Sequence, residues 1–194
     1  MLWVGGLDLA AGRGYNSLSV GAIDWAVEEV VGVARPEIFV SKNLWNIMEI
    51  IKKQNIILLA VDAPLSITLR LRQVEKLLRK EAKTPLLPCA LPGMRKLCLR
   101  GYSLKRLAEE AGTPLLLETY PAAAYKLCGS RRPIQRPLRD VVDSLVALAS
   151  AISFLLGMAR LYVDEDGVIV LPDCGTLRKI VEAANTSSKN IKIL

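Results

Sequence analysis

Residues 55–66, with the sequence NIILLAVDAPLS, constrain the fold of this chain more than any other stretch. The unbroken apolar run over 56–61 is typical of a strand covered on both faces, as in a parallel sheet between layers of helices. The run stops at Asp62, and Pro64 cannot continue the hydrogen-bonded ladder. Because open α/β sheets place their chemistry at the carboxyl ends of their strands, Asp62 is a candidate functional residue.

Two other predicted strands also end in a carboxylate. Residues 3–8 end at Asp8, and residues 114–118 end at Glu118. If these strands lie parallel beside the central one, all three carboxylates share one edge of the sheet. Taken singly, each is equally well explained as a strand-end carboxylate that accepts backbone N–H groups, or, for Glu118, as part of a helix cap. Together they favour an enzyme.

A fourth carboxylate position comes from a helix. Asp140 and Asp143 are spaced i, i+3 in the first turn of an apolar helix, so they lie on one helix face. N-terminal capping is the alternative explanation, since the helix dipole tolerates negative charge there. Because this helix must pack on the sheet, we expect it to carry Asp143 toward the strand edge.

Hydrophobic periodicity and turn residues predict the remaining elements. Residues 36–40 either continue the third strand or lead into a helix, and either Ser41 or Asn43 caps the first helix. The last ten residues are expected to be frayed. The predicted strands cover 2–9, 15–23, 25–33, 56–61 and 114–118, with a hairpin over 162–171. The predicted helices cover 44–53, 67–82, 103–111, 121–127, 140–160 and 176–184.

The chain contains no histidine, which narrows the chemistry available to it. Zinc hydrolase sites built on imidazole and Ser-His-Asp triads are excluded. Carboxylates gathered at one edge repel each other unless a cation lies among them. With oxygen ligands alone, the predicted cofactor is a hard divalent cation, Mg²⁺ or Mn²⁺.

The formal net charge of +7 permits an anionic partner. Basic residues are concentrated in 70–106 and in 126–139, and such tracts either contact nucleic-acid phosphates or form solvated helical faces. The candidate nucleic-acid-binding residues in the second tract are Arg131, Arg132 and Arg136.

The four cysteines lie far apart in the sequence and lack the close spacing of zinc ligands. We interpret them as free thiols of a cytoplasmic protein. The apolar residues 145–159 are too few to cross a bilayer, which favours a core helix over a membrane span. The shortage of Gln and the abundance of charged and aliphatic residues are typical of a thermophilic source.

Four short motifs together resemble a family. The motifs are GLDLA at 6–10, VDAPL at 61–65, ETYPA at 118–122 and RDVVDSL at 139–145. In order and spacing they resemble the DUF429 family of predicted RNase H-like nucleases, over about residues 2–160.

The resemblance implies an α/β fold of the ribonuclease H-like type, with a mixed five-stranded sheet of order 3-2-1-4-5 and helices on both faces. The length of the chain predicts one domain over 1–194, and the sequence pattern predicts a helical insertion at 66–112 and a C-terminal hairpin and helix at 161–194. The implied metal ligands are Asp8, Asp62 and Asp143. Further implied site residues are the catalytic carboxylates Glu118 and Asp140 and the accessory cleft residues Arg72, Glu75 and Arg139. The chain departs from the family by carrying Arg139 where histidine is frequent and Ser144 where alanine is frequent.

The predicted function is metal-dependent hydrolysis of phosphodiester bonds in nucleic acid. A non-catalytic nucleic-acid-binding module is one alternative. The other is an actin-like phosphotransferase that uses ATP, for which Gly12 and Gly14 offer a weak phosphate-binding hairpin.

Overall fold

The computed structural model describes residues 2–12, 14–23, 36–130, 138–185 and 191–194. The strands in these ranges are β1 (Leu2–Asp8), β2 (Asn16–Ile23), β3 (Glu37–Ser41), β4 (Leu58–Asp62), β5 (Leu115–Glu118), β6 (Arg160–Asp164), β7 (Gly167–Leu171) and β8 (Ile191–Ile193). The helices are α1 (Leu44–Lys53), α2 (Gln73–Ala82), α3 (Pro92–Ala111), α4 (Pro121–Leu127), α5 (Leu138–Leu155) and α6 (Cys174–Asn185).

The described strands form one mixed sheet in the order β6-β7-β5-β4-β1-β2-β3-β8. Its centre has the predicted ribonuclease H-like order 3-2-1-4-5, with β2 antiparallel to β1 and with β4 and β5 parallel to it. The predicted fold class is therefore confirmed. The sheet is wider than the predicted five strands, because the hairpin β6-β7 adds beside β5 and β8 adds beside β3.

Helices cover both faces of the sheet, as expected from the double-sided apolar run. One core lies under α2, α4, α5 and α6 and includes Val146 and Ile152 of α5. The other lies under α1 and α3 and includes Ile47 of α1, Leu104 of α3 and Leu59 of β4. Leu59 and Ala60 are neighbours on β4 and are fully buried in opposite cores, which explains why the sequence of β4 is continuously apolar.

Three predicted helices differ from the structure by five residues or more at one end. Helix α2 starts at Gln73 rather than at residue 67, because Asp166 of the β6-β7 turn accepts the N–H groups that begin the helix. Helix α3 starts at Pro92 rather than at residue 103, since proline is favoured in a first turn. Helix α5 ends at Leu155 rather than at residue 160, and Gly157 follows in the left-handed conformation.

The structure also decides the two questions that the sequence left open before β4, namely the state of residues 36–40 and the residue that caps α1. The segment after Pro36 is a strand, and Asn43 caps α1 by accepting from Trp45 N at 3.0 Å. The predicted strand at 25–33 lies outside the described residues. The expected fraying of the last ten residues is wrong for β8, which pairs parallel to β3.

The cysteines are not free thiols, so that interpretation is wrong. Cys89 is bonded to Cys98 in the second turn of α3, and Cys128 at the end of α4 is bonded to Cys174 at the start of α6. Spacing in the sequence did not reveal these pairs, because helix packing brings the partners together. Cytoplasmic location stays a prediction, and structural disulfides are mostly found in oxidising compartments, with hyperthermophiles an exception. Within the described ranges, none of the helices has both the length and the apolar character needed to span a bilayer.

Candidate metal centre

Two carboxylates of the site are placed by the register of the central strands. Asp8 ends β1 and Asp62 ends β4, and the two residues are direct partners in the parallel ladder. Residues opposite each other in a ladder direct their side chains to the same face of the sheet. Both carboxylates therefore lie on one face at the carboxyl edge, where both residues are partly exposed.

Helix α5 supplies the third carboxylate because it packs unusually close to β1. A Cβ atom on Gly6 would lie 2.3 Å from the carbonyl oxygen of Ser144, so only glycine permits this approach. The Ser144 hydroxyl is hydrogen-bonded to the hydroxyls of Ser17 and Ser19 of β2, at 3.0 and 2.7 Å. These bonds fix the position of α5 along the sheet. The neighbouring Asp143 is thereby held at the strand edge, with 1% of its surface exposed.

The predicted ligands Asp8, Asp62 and Asp143 do come together. Each offers a carboxylate oxygen, and these three oxygens lie within 4.8 Å of one another. They line a cleft of about 560 Å³ whose walls include Leu97 of α3 and the residues that follow β1. Three carboxylate oxygens at this spacing fit a hard cation such as Mg²⁺ or Mn²⁺, which takes oxygen ligands and retains water in the remaining positions.

Asp140 and Arg139 line the same cleft. Asp140 is buried, and its Oδ1 lies 3.7 Å from Nε of Arg139. The side chain of Arg139 is 28% exposed and adds a positive charge to the lining of an acidic cleft. Both residues are therefore at the predicted site, although Asp140 is outside the group of three.

The position of Glu118 differs from the prediction that its carboxylate joins those of the aspartates. Its ladder partner on β4 is Val61, one residue before Asp62. Because side chains alternate along a strand, this offset of one residue turns Glu118 to the face opposite the aspartates. The structure thus brings Glu118 to the same edge but not into the aspartate cluster, and a catalytic role for Glu118 stays a prediction.

On that face Glu118 belongs to a buried ion-pair network. Its carboxylate accepts from both terminal nitrogens of Arg72, one of them at 3.0 Å, and from Leu65 N at 3.0 Å. Nη2 of Arg72 also donates to Glu75 at 3.0 Å, and Arg72 N donates to the same carboxylate at 2.8 Å. The two predicted accessory residues Arg72 and Glu75 therefore hold Glu118 and the start of α2.

Burial and pairing act against each other in this network. Burial raises the pKa of Glu118, and the hydrogen bonds and charge of Arg72 oppose that rise. Burial lowers the pKa of Arg72, but the carboxylates of Glu118 and Glu75 outweigh it, so the pKa of Arg72 is raised above its ordinary value. Arg72 consequently stays charged, and the network is a fixed electrostatic support beside the site.

The sequence analysis missed several supporting residues of the centre. Ser17 and Ser19 are buried and alternate along β2, and polar residues at every second position of a buried strand are a signal that they share a partner. Gly6 carried no such signal, because its importance depends on the helix that packs on it. The predicted nucleic-acid-binding residues Arg131, Arg132 and Arg136 lie outside the described residues.

Comparisons with known proteins identify no family. No family model matches the chain, and no curated protein matches it. The resemblance to the DUF429 family therefore stays a prediction. Two solved structures of RuvC from Thermus thermophilus are similar to the chain, each over 81% of this chain and 98% of the other. One is RuvC itself, with a TM-score of 0.41 and 16% identity. The other is RuvC in complex with a Holliday junction substrate, with a TM-score of 0.39 and 15% identity.

Proposed function

We propose that this chain is a nuclease that depends on a divalent cation and hydrolyses phosphodiester bonds in nucleic acid. The observation that carries the proposal is the convergence of Asp8, Asp62 and Asp143 from two strands and one helix onto oxygens within 4.8 Å of each other. Such a cluster is electrostatically costly by itself. A site that binds Mg²⁺ or Mn²⁺ explains why three separate elements are packed to create it.

The three aspartates would hold the cation, and their negative charge selects hard divalent ions. When bound, such a cation supplies Lewis-acid polarisation of a phosphoryl oxygen. The cleft is open to solvent at the edge of the sheet, which suits a substrate too large to be enclosed. The excess of positive charge over the whole chain favours the approach of a polyanion.

We infer that the carboxylate of Asp140 accepts the proton that the attacking water loses. The chain has no imidazole, and the guanidinium of Arg139 offers N–H donors but no acceptor. Among the described residues that line the cleft, Asp140 is the carboxylate outside the group of three. Arg139, beside it, would bind a phosphate oxygen through paired N–H donors.

The test uses purified protein with labelled RNA, DNA, RNA–DNA hybrid and four-way DNA junction, each with Mg²⁺ or Mn²⁺. We expect cleavage of at least one substrate, abolished by Asp8→Asn, Asp62→Asn or Asp143→Asn. The exposed carboxylate of Glu49 on α1 gives the matched control, so Glu49→Gln should cleave like the wild type. Cleavage that survives the double variant Asp8→Asn and Asp62→Asn would refute the proposal.

Direct metal binding separates the residue roles. At Mn²⁺ a hundredfold above its dissociation constant, the wild type should gain about 2.7 kcal/mol in free energy of unfolding. Asp143→Asn should lose most of that gain, whereas Asp140→Asn should keep it and lose cleavage. Salt-dependent binding of nucleic acid with no turnover under any condition would favour the non-catalytic module, and ATP binding by calorimetry would favour the phosphotransferase.

A further inference from the structure

Helix α3 makes two adjacent contacts with the loops that follow Asp8 and Asp62. The first is through Arg100, whose Nη1 donates to the carbonyl oxygen of Ala10 and whose Nη2 donates to Oδ1 of Asn16 at 3.1 Å. Ala10 lies two residues beyond Asp8. The backbone just after the first candidate ligand is therefore bound directly to α3.

Asn16 strengthens this contact from the other side. Its Oδ1 also accepts from Ala10 N at 3.2 Å, so Ala10 is held at both its N–H and its carbonyl. Asn16 is fully buried, and its Nδ2 donates to the carbonyl oxygen of Ser41 at the end of β3 at 3.0 Å. The side-chain amide is thus fixed in one orientation, and it offers Arg100 a rigid acceptor.

The second contact is through the next residue of the helix. Gly101 approaches the loop after β4 so closely that a Cβ atom there would lie 2.3 Å from the carbonyl oxygen of Pro64. Pro64 lies two residues beyond Asp62. Consecutive residues of one helix therefore hold equivalent points of the two loops that follow Asp8 and Asp62.

These contacts hold backbone that lies beyond the hydrogen-bonded ladder of the sheet. The β1-β4 ladder ends at the pair Asp8 and Asp62, so the chain beyond it is not fixed by ladder hydrogen bonds. Repulsion among the carboxylates favours spreading of these loops. Helix α3 opposes the spreading, and it is itself attached by the disulfide of buried Cys98 to Cys89.

We propose that Arg100 is a positioning residue that keeps Asp8 and Asp62 at metal-binding distance by holding the loop after β1. The inference rests on the proposed metal centre and adds a residue that touches neither the cation nor the substrate. Loss of a group that orients metal ligands typically weakens metal binding 10- to 100-fold. We expect Arg100→Ala to raise the dissociation constant for Mn²⁺ by about tenfold.

The experiment measures Mn²⁺ affinity by electron paramagnetic resonance without nucleic acid, and nucleic-acid affinity separately in EDTA. Arg100→Ala should lose Mn²⁺ affinity while its nucleic-acid affinity changes less than twofold. In Arg100→Lys the side chain keeps its positive charge and can still donate to one of the two acceptors. This variant should therefore recover part of the Mn²⁺ affinity. Arg106→Ala is the matched control, because Arg106 is exposed on the same helix and pairs with Glu109 and Glu110.

The outcomes separate this inference from the proposed function. Mn²⁺ affinity in Arg100→Ala equal to that of Arg106→Ala would overturn the positioning role. Should Arg100→Ala fail to fold, wild-type Mn²⁺ affinity in Arg100→Met would overturn it equally. If the wild type binds Mn²⁺ but cleaves nothing, and Arg100→Ala binds Mn²⁺ more weakly, the positioning role is supported and the nuclease is refuted. A wild type that binds no Mn²⁺ would overturn both.

Discussion

Gly6 of β1 and Ser144 of α5 are in direct backbone contact. A Cβ atom on Gly6 would lie 2.3 Å from the carbonyl oxygen of Ser144 and 1.9 Å from the backbone nitrogen of Leu148. The contact is two residues from Asp8 and one residue from Asp143. The distance between the first and third candidate ligands is therefore set by the absence of one side chain.

Gly6→Ala should destabilise the protein, because its methyl group meets backbone atoms that cannot rotate away. We expect a loss of about 3 kcal/mol in the free energy of unfolding, at the upper end of overpacked substitutions. Urea denaturation measures it, and loss of Mn²⁺ binding should accompany it because α5 must move. Gly93→Ala is the control, since a Cβ atom there meets nothing within 4 Å. Equal stabilities of the two variants would contradict this account of the packing.

Arg72→Met should be severely destabilising at neutral pH. It leaves Glu118, of which 8% is exposed, without its cation, and breaking a buried pair in this way costs about 3–5 kcal/mol. Arg160→Met is the matched control, because its pair with Glu81 at 2.8 Å is exposed and is worth at most about 1 kcal/mol.

The cost of Arg72→Met should also depend on pH. Burial already raises the pKa of Glu118, and the variant removes the opposing effect of Arg72. A carboxyl group whose pKa is raised in the folded state binds more protons there, so stability falls as the pH rises above the unfolded value of about 4.3. The difference between wild type and Arg72→Met should therefore be smaller at pH 4 than at pH 7. An equal difference at both pH values would contradict it.

Asp166 gives a pH dependence of the opposite sign. Desolvation raises the pKa of Asp166, but the hydrogen bonds from the N–H groups of Gln73 and Val74 and the charge of Arg72 together outweigh it, so the pKa is lowered. A lowered pKa contributes stability that is complete above the unfolded value of about 3.9 and is lost as the pH falls through the folded value. Asp166→Ala should cost about 1 kcal/mol at pH 7, as for a lost helix cap, and the cost should shrink below about pH 4. Thermal unfolding of Asp166→Ala against Glu165→Ala, an exposed neighbour, tests this.

We expect both disulfides to be detectable and to stabilise the protein to different extents. Thiol titration of the unfolded, unreduced protein should find no free thiol, and four free thiols would refute the pairing. The bond between Cys128 and Cys174 closes 46 residues, which corresponds to about 4 kcal/mol of unfolded-state entropy. The bond between Cys89 and Cys98 closes 9 residues and corresponds to about 2.5 kcal/mol. Chemical denaturation of Cys128→Ser and Cys89→Ser should show that order.

The central strand order and the grouping of the three aspartates followed from local sequence. Asp8 and Asp62 end apolar runs, and such runs align in a parallel sheet because both faces must be covered. Asp143 lies in the second turn of a helix too apolar to lie anywhere but on that sheet. In each case a pattern within about ten residues determined both the element and the end at which the carboxylate lies.

The remaining features depend on contacts between distant residues. The face on which Glu118 lies is decided by a register offset of one residue against β4, and no local pattern specifies register to that accuracy. The disulfide of Cys128 with Cys174, the attachment of Ala10 to Arg100 and the close approach of α5 to Gly6 join residues 46, 90 and about 140 positions apart. The sequence by itself determined which side chains stand at the ends of the elements. Only the tertiary structure decided which of them meet, because distance in space depends on packing and register that a linear pattern does not contain.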